Sequence, residues 1–235
     1  MKIRRLKKAK TTLILPDMHL PFANWKGIQK AHKWAEKHNP DAVIQLGDLL
    51  DQKCWSRWPK DADDFSPAQE FEESYKDCEK LEKYFPNMEI LIGNHDVRYI
   101  ARAAESSLPK QMIKTLDELF PMEGWRWSTD PDEFLIMPTA RGDVLFMHGD
   151  EMGGRPVHKA TSMGMNVVQG HTHQSSIQYQ QSLDKFLFGA EAGHLMDVNS
   201  KGARYAARNP KGTACGFMVM KFGVVYFIPA DGSKV

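Results

Sequence analysis

Cysteine is scarce in this 235-residue chain: three residues, Cys54, Cys78 and Cys215, far apart and with no CxxC pair. That excludes a zinc-thiolate site and a disulfide framework, and it fits a reducing compartment. Long apolar runs are missing too; no stretch approaches the roughly 20 residues of a membrane span. The basic opening MKIRRLKKAK is not followed by a signal-peptide core, because TTLILPD is short and breaks at Pro16. A soluble, cytoplasmic protein without membrane contact is expected. Net charge is nearly absent, 31 Lys+Arg against 30 Asp+Glu. What charge there is lies unevenly. Lys2, Arg4, Arg5, Lys7, Lys8 and Lys10 open the chain with no acid among them, and residues 61–82 are strongly acidic. Both runs read as solvated faces, with a nucleic-acid-touching arm as the alternative for the first. There is no internal repeat, low-complexity tract or long linker. Residues 1–235 are therefore expected to form one domain, with 1–10 as a basic N-terminal arm and 50–66 as an insertion over the active site.

What is present is a run of short apolar segments separated by helical patterns. Strands are expected at 11–15 (TTLIL), 42–46 (AVIQL), 89–92 (EILI), 144–147 (VLFM) and 166–169 (NVVQ). Asn24 can cap a helix reaching His38, where Asn39-Pro40 stops it. A second helix starts near Pro67 and runs to about Tyr84, with Phe71, Tyr75, Cys78 and Leu81 on one stripe. The last third reads as two hairpins turning near Asp184 and Gly223. Trp125, Arg126 and Trp127 read as part of a strand pair in the core. The pattern is a layered α/β domain with more than one sheet.

The strand ends carry the chemistry. After 11–15 comes Asp17-Met18-His19, and after 42–46 comes Gly47-Asp48. Then follow Gly93-Asn94-His95-Asp96, His148-Gly149 and Gly170-His171-Thr172-His173. Ligands of open α/β sheets collect at the carboxyl ends of strands. Five such ends in a row bear Asp, His or Asn, mostly beside Gly, which lets the backbone turn sharply. The donors are oxygens and imidazoles with no sulfur. Such a set suits Mn, Fe, Zn, Ni or Co, and it holds too many donors for one ion. Two ions need a bridging carboxylate, and Asp48 is the natural bridge.

These motifs, DMH (17–19), GD (47–48), GNHD (93–96), HG (148–149) and GHTH (170–173), resemble those of the calcineurin-like metallophosphoesterase family in order and spacing. The resemblance implies a four-layer α/β/β/α sandwich of two mixed sheets flanked by helices, with two divalent metals, manganese first among them, at one sheet edge. By the same resemblance Asp17, His19, Asp48 and His173 hold one metal, and Asp48, Asn94, His148 and His171 hold the other. His95 faces the phosphate as general acid, with Asp96 orienting it, and Asp51 is either a partner behind the ligands or a surface loop acid. A metal-activated hydroxide would then cleave the phosphate ester in one displacement. The sequence departs from the protein serine/threonine phosphatase branch, whose GD-x-x-DRG and GNHE stand here as GDLLDQK and GNHD. That branch's phosphate-binding arginine is absent at Gln52-Lys53, which disfavours a protein phosphatase and leaves Lys53 or Arg57 as replacements.

The substrate is read from the segment CWSRWPK (54–60) behind the bridging aspartate. It is either a packed lid or a surface that stacks bases and binds phosphate. On the second reading Trp55, Arg57 and Trp58 contact substrate, and His194, just past a hairpin strand, joins them. The basic stretch Lys201, Arg204, Arg208 and Lys211 is either a solvated turn or a grip on a polyanion. A phosphodiesterase acting on a nucleotide or nucleic acid is favoured over a phosphomonoesterase. The rival classes are a non-catalytic interaction module and a nucleic-acid-binding protein with structural metals.

Overall fold

The computed structural model describes residues 2–57, 59–60, 62–182, 185–200 and 212–230. Its strands are β1 (Lys2–Arg5), β2 (Thr11–Leu15), β3 (Ala42–Gln45), β4 (Met88–Ile90), β5 (Trp125–Trp127), β6 (Glu133–Thr139), β7 (Gly142–Met147), β8 (Asn166–Gln169), β9 (Ser175–Ser182), β10 (Lys185–Ala192), β11 (Gly216–Lys221) and β12 (Val224–Pro229). Its helices are α1 (Trp25–His38), α2 (Pro67–Tyr84), α3 (Arg98–Glu105), α4 (Leu116–Leu119) and α5 (Pro156–Met163). Two six-stranded sheets result, ordered β12-β11-β2-β3-β4-β5 and β1-β6-β7-β8-β10-β9. Both are mixed: β2 through β5 run parallel while β11 and β12 are antiparallel additions. In the other sheet β7, β8 and β10 are parallel neighbours.

Period-2 alternation decides which face each side chain joins. Leu13 and Leu15 point to the layer shared with Ile28, Ala31, Cys78 and Leu81 of α1 and α2. Ile14 points the other way, into a layer with Ile44, Met137, Phe146, Val168 and Met218 drawn from both sheets. Phe134, Ile136, Leu145 and Val167 face outward again and are covered by Ala160 of α5. The stacking order is helix, sheet, sheet, helix. Burying one such side chain is worth about 1.5–3 kcal/mol, so the shared inner layer locks the two sheets together.

The helices begin where the sequence supplies caps. Asn24 accepts from the Gly27 amide, and Ser66 forms a capping box with Gln69 ahead of Pro67. Cys78 and Leu81 are buried as the α2 stripe requires, while Phe71 stays 43% exposed. The Gly223 turn is a two-residue loop in which Phe222 and Gly223 both have positive φ. The turn placed near Asp184 lies outside the described residues, although β9 and β10 pair as a hairpin.

Two strands depart from the sequence reading. Residues 2–5 are not a free basic arm but an edge strand parallel to β6. Basic side chains belong on an exposed edge, and Arg4 pairs with Glu133 at 3.0 Å and Glu89 at 3.3 Å. β6 was hidden because its apolar run ends in Met137-Pro138 and follows the turn-like DPDE. No helix among the described residues is long and apolar enough to cross a membrane.

Candidate metal centre

Each site residue leaves the carboxyl end of a strand. Asp17 and His19 follow β2, Asp48 follows β3, and Asn94 and His95 follow β4. From the facing sheet come His148 after β7, and His171 and His173 after β8. The two sheets thus bring seven candidate ligands and one further histidine to a common edge. Asp17, His19, Asp48 and His148 are at most 2% exposed, His173 is buried, and His171 is exposed.

The donors fall into two groups that meet at Asp48. His19 Nε2 faces His173 Nε2 at 3.0 Å, and Asp17 Oδ2 is 3.7 Å from the latter. Asn94 Oδ1 is 3.1 Å from His148 Nε2 and 3.0 Å from His171 Nδ1. Asp48 Oδ2 stands between them, 3.8 Å from His19 Nε2 and 3.4 Å from His148 Nε2. Atoms around one divalent ion at about 2.1 Å lie roughly 3–3.5 Å from one another. The spacing, and the presence of oxygen and imidazole without sulfur, fit divalent metal ions of the Mn, Fe or Zn kind.

The backbone is strained where these residues sit. Four of the eight described non-glycine residues with positive φ are candidate ligands: His19 (54°), Asp48 (51°), His171 (67°) and His173 (57°). Each such conformation costs about 1–2 kcal/mol, and strain of this kind concentrates at functional sites. Glycine serves the same packing. A Cβ on Gly93 would lie 2.2 Å from Asp48 Oδ1, and one on Gly47 would lie 2.7 Å from His148 Nδ1. At Gly93 close approach, rather than a left-handed turn, requires the missing side chain.

Hydrogen bonds behind the ligands select their tautomers. His148 Nδ1 donates to the Leu46 carbonyl at 3.0 Å, which leaves Nε2 as the acceptor nitrogen. Asp51 Oδ1 takes Nδ1 of both His19 (2.9 Å) and His95 (2.8 Å). Burial raises the Asp51 carboxyl, but these two imidazoles outweigh it and hold it well below the usual range. Burial pushes His173 down to about 2, with His19 and His194 adding to the effect, so its imidazole is neutral and ready to ligate. Burial likewise lowers His19. Asp17 is pushed up to about 8, chiefly by burial. His148 beside it offsets only part of that burial, and a divalent ion would supply further compensating charge.

His19, Asp51 and His95 also lie close enough together to resemble a ligand triad. Their contacts are imidazole-to-carboxylate hydrogen bonds through Nδ1, which leave Nε2 of each ring pointing away from Asp51. Asp51 is therefore the partner behind the ligands rather than a surface acid; it is 1% exposed.

Two expected site residues have surroundings that the sequence did not announce. Asp96 bonds to backbone. Its carboxylate accepts the backbone amides of Asp48, Leu50 and Gly93, each at 2.8 Å, so it ties the GD and GNHD loops together. The residue that orients His95 is Asp51. His194 is fully buried, its ring 5.1 Å from that of His173, with Nδ1 accepting the Met196 amide. It packs behind a candidate ligand. The sequence signal for the Asp51–His95 pairing was weak, because an acid next to His95 and an acid 44 positions away look equally able to reach it.

The flank beside the cluster is built differently. Lys53–Trp55 form a 3-10 turn pinned by Glu70, whose carboxylate accepts the Lys53 and Cys54 amides at 2.6 Å. Trp55 is 37% exposed, and Arg57 pairs with Glu105 at 2.8 Å. Trp58 and the 201–211 basic stretch lie outside the described residues. Trp125 and Trp127 are buried in β5, as expected. Arg98, which the sequence reading did not single out, contacts His95 through its guanidinium.

Oxygen and imidazole donors drawn from the strand ends of two facing sheets define a metal-binding α/β sandwich. Residues 10–191 match the sequence model of the calcineurin-like phosphoesterases, and the chain belongs to that family. It is similar to the Gene 54 protein of Mycobacterium phage L5, 24% identical over 234 residues that cover 90% of this chain and 89% of that protein. The Gene 54 protein of Mycobacterium phage D29 is 25% identical over 222 residues, covering 84% and 83%. Among solved structures, Yfce, a phosphoesterase from E. coli, is 13% identical with a TM-score of 0.49, covering 94% of this chain and 93% of that one. Vps29 of Chaetomium thermophilum is 14% identical with a TM-score of 0.47, covering 95% and 91%.

Proposed function

We propose that the protein is a dinuclear-metal phosphohydrolase that cleaves phosphodiesters of a nucleotide or nucleic acid. The carrying observation is Asp48 Oδ2, which lies between two groups of imidazole and oxygen donors. Asp17, His19, Asp48 and His173 would hold one ion, and Asp48, Asn94, His148 and His171 the other. Two divalent cations, manganese first among them, would supply an activated water and neutralise phosphoryl charge. The chain's own residues do the rest. Asp51 fixes the His95 ring through Nδ1, so Nε2 is the atom that gives a proton to the leaving oxygen. Asp96 and Gly93 hold the two loops at the separation this requires.

The diester preference is supported by the flank. A pocket of about 230 Å³ is lined by Trp55, Arg57, Arg98 and Arg102 among others. An indole beside guanidinium groups suits a base and its phosphate.

The test is hydrolysis with and without Mn²⁺ of bis-p-nitrophenyl phosphate, p-nitrophenyl phosphate and an oligonucleotide. Metal-dependent cleavage, faster on diesters, is expected. His95→Asn should keep its metals and lose roughly 10²–10⁴-fold in turnover, least with nitrophenolate leaving groups. Cleavage that ignores metal, or a monoester preference, would contradict the respective half of the reading.

A further inference from the structure

Arg98 opens α3 and lies across the outward nitrogen of His95. One guanidinium nitrogen, Nη2, is 2.7 Å from His95 Nε2, and Nη1 donates to the Asp51 carbonyl at 3.0 Å. A guanidinium has donors only, so His95 Nε2 is the acceptor in this contact while Nδ1–H serves Asp51. His95 is thus held with the one nitrogen that could face a leaving oxygen already covered. A proton on Nε2 and the Arg98 donor cannot share that place. For His95 to act as the acid, the guanidinium has to find another acceptor and the freed Nε2 has to take up a proton from solvent.

The other polar groups of this flank have acceptors of their own. Lys53 pairs with Asp64, and Arg57 with Glu105. Arg102 donates to the Trp55 and Ser56 carbonyls, both at 2.8 Å, and to Glu105 at 2.7 Å. Gln52 bridges the Asp96 carbonyl and the Tyr99 amide. Arg98 differs: its two hydrogen-bond acceptors are a neutral carbonyl and an imidazole. Asp51 Oδ1 is 4.0 Å from Arg98 Nη1 and is already bonded by His19 and His95. A phosphoryl oxygen is a stronger, charged acceptor that suits the guanidinium fork.

We propose that Arg98 is a catalytic residue that clamps a non-bridging oxygen of the substrate phosphoryl group. Its bond to His95 is a resting contact that the incoming phosphate breaks. Substrate entry then removes the guanidinium from His95 Nε2 and gives it a charged partner in one exchange, with no covalent bond made or broken. This rests on the phosphohydrolase reading and answers which cation serves in place of the arginine missing at Gln52-Lys53.

Inorganic phosphate is the probe, titrated calorimetrically into the Mn²⁺-loaded protein and its variants, with thermal unfolding followed in parallel. Arg98→Gln should weaken phosphate binding roughly tenfold to a hundredfold, the range for one lost charged hydrogen bond. Arg98→Lys should recover part of that loss, and KM for bis-p-nitrophenyl phosphate should rise in step. His95→Ala removes the resting acceptor and should bind phosphate at least as tightly as the parent. Unchanged phosphate affinity in a folded Arg98→Gln variant would overturn the clamp, as would failure of the parent to bind phosphate. A His95→Ala variant that loses affinity as Arg98→Gln does would overturn the resting contact. If the parent binds phosphate through Arg98 yet hydrolyses no ester, the phosphohydrolase reading fails and the clamp stands.

Discussion

The strand-end cluster and the flank formed by Lys53–Arg57 and α3 stand side by side and are built on opposite terms. In the cluster, Asp17, His19, Asp48, Asp51 and His148 are at most 2% exposed, and each ring or carboxylate has a defined partner. In the flank, α3 has no buried residue, Arg57 is 78% exposed at its side chain, and the rings and guanidinium groups meet water. Groups that stabilise developing charge work best when fixed in place and dry, since nothing must reorganise during the reaction. Groups that meet a variable substrate need no such rigidity, and short surface elements open at little cost. On the proposed reading, the cluster would carry the metal chemistry and the flank would meet the substrate, with Arg98 of α3 at the boundary between them.

The comparison is sharpest at Asp48. Asp48→Ala should lose both metal ions together in elemental analysis, with a greater loss of activity than the roughly 10–100-fold seen for partners behind ligands. Retention of one full equivalent would break the shared-carboxylate account. Next in size is Asp51→Asn, expected to fall within that 10–100-fold range because it disturbs the tautomers of His19 and His95 at once. Asp96→Asn provides the contrast. It serves three backbone amides, so its main effect should be a lower unfolding midpoint, with leaving-group dependence unchanged. The smallest effect belongs to the flank. Trp55→Ala should weaken oligonucleotide cleavage by about tenfold, the worth of one stacked base, and leave bis-p-nitrophenyl phosphate nearly untouched. Equal losses on both substrates would make Trp55 a packing residue.

The same contrast explains what could be read in the sequence. Strand ends such as Gly47-Asp48 and Gly93-Asn94-His95 announce themselves, because an apolar run must stop and a ligand must follow in a tight space. A layered α/β domain with more than one sheet was legible in the alternating apolar runs and the turn at Gly223, whereas the four-layer sandwich followed only from the resemblance of the strand-end motifs. Partner choice was not legible. Asp96 is adjacent to His95 in sequence, yet the chain turns its carboxylate onto backbone amides, and the longer path through Asp51 wins. His194 looked free to reach the metal edge because burial depends on which strands cover it. β1 was missed because Lys2–Arg5 has the charges of an arm and gains its place only by pairing with β6. Arg98 was overlooked because helix position, rather than residue type, brings it to His95.

The central claim is that two metals share Asp48. Anomalous X-ray diffraction from crystals of the Mn²⁺-loaded protein measures it directly. The account predicts two manganese peaks flanking the Asp48 carboxylate, one among Asp17, His19 and His173 and the other among Asn94, His148 and His171. A single peak, or a peak coordinated by Asp51 between His19 and His95, would contradict it.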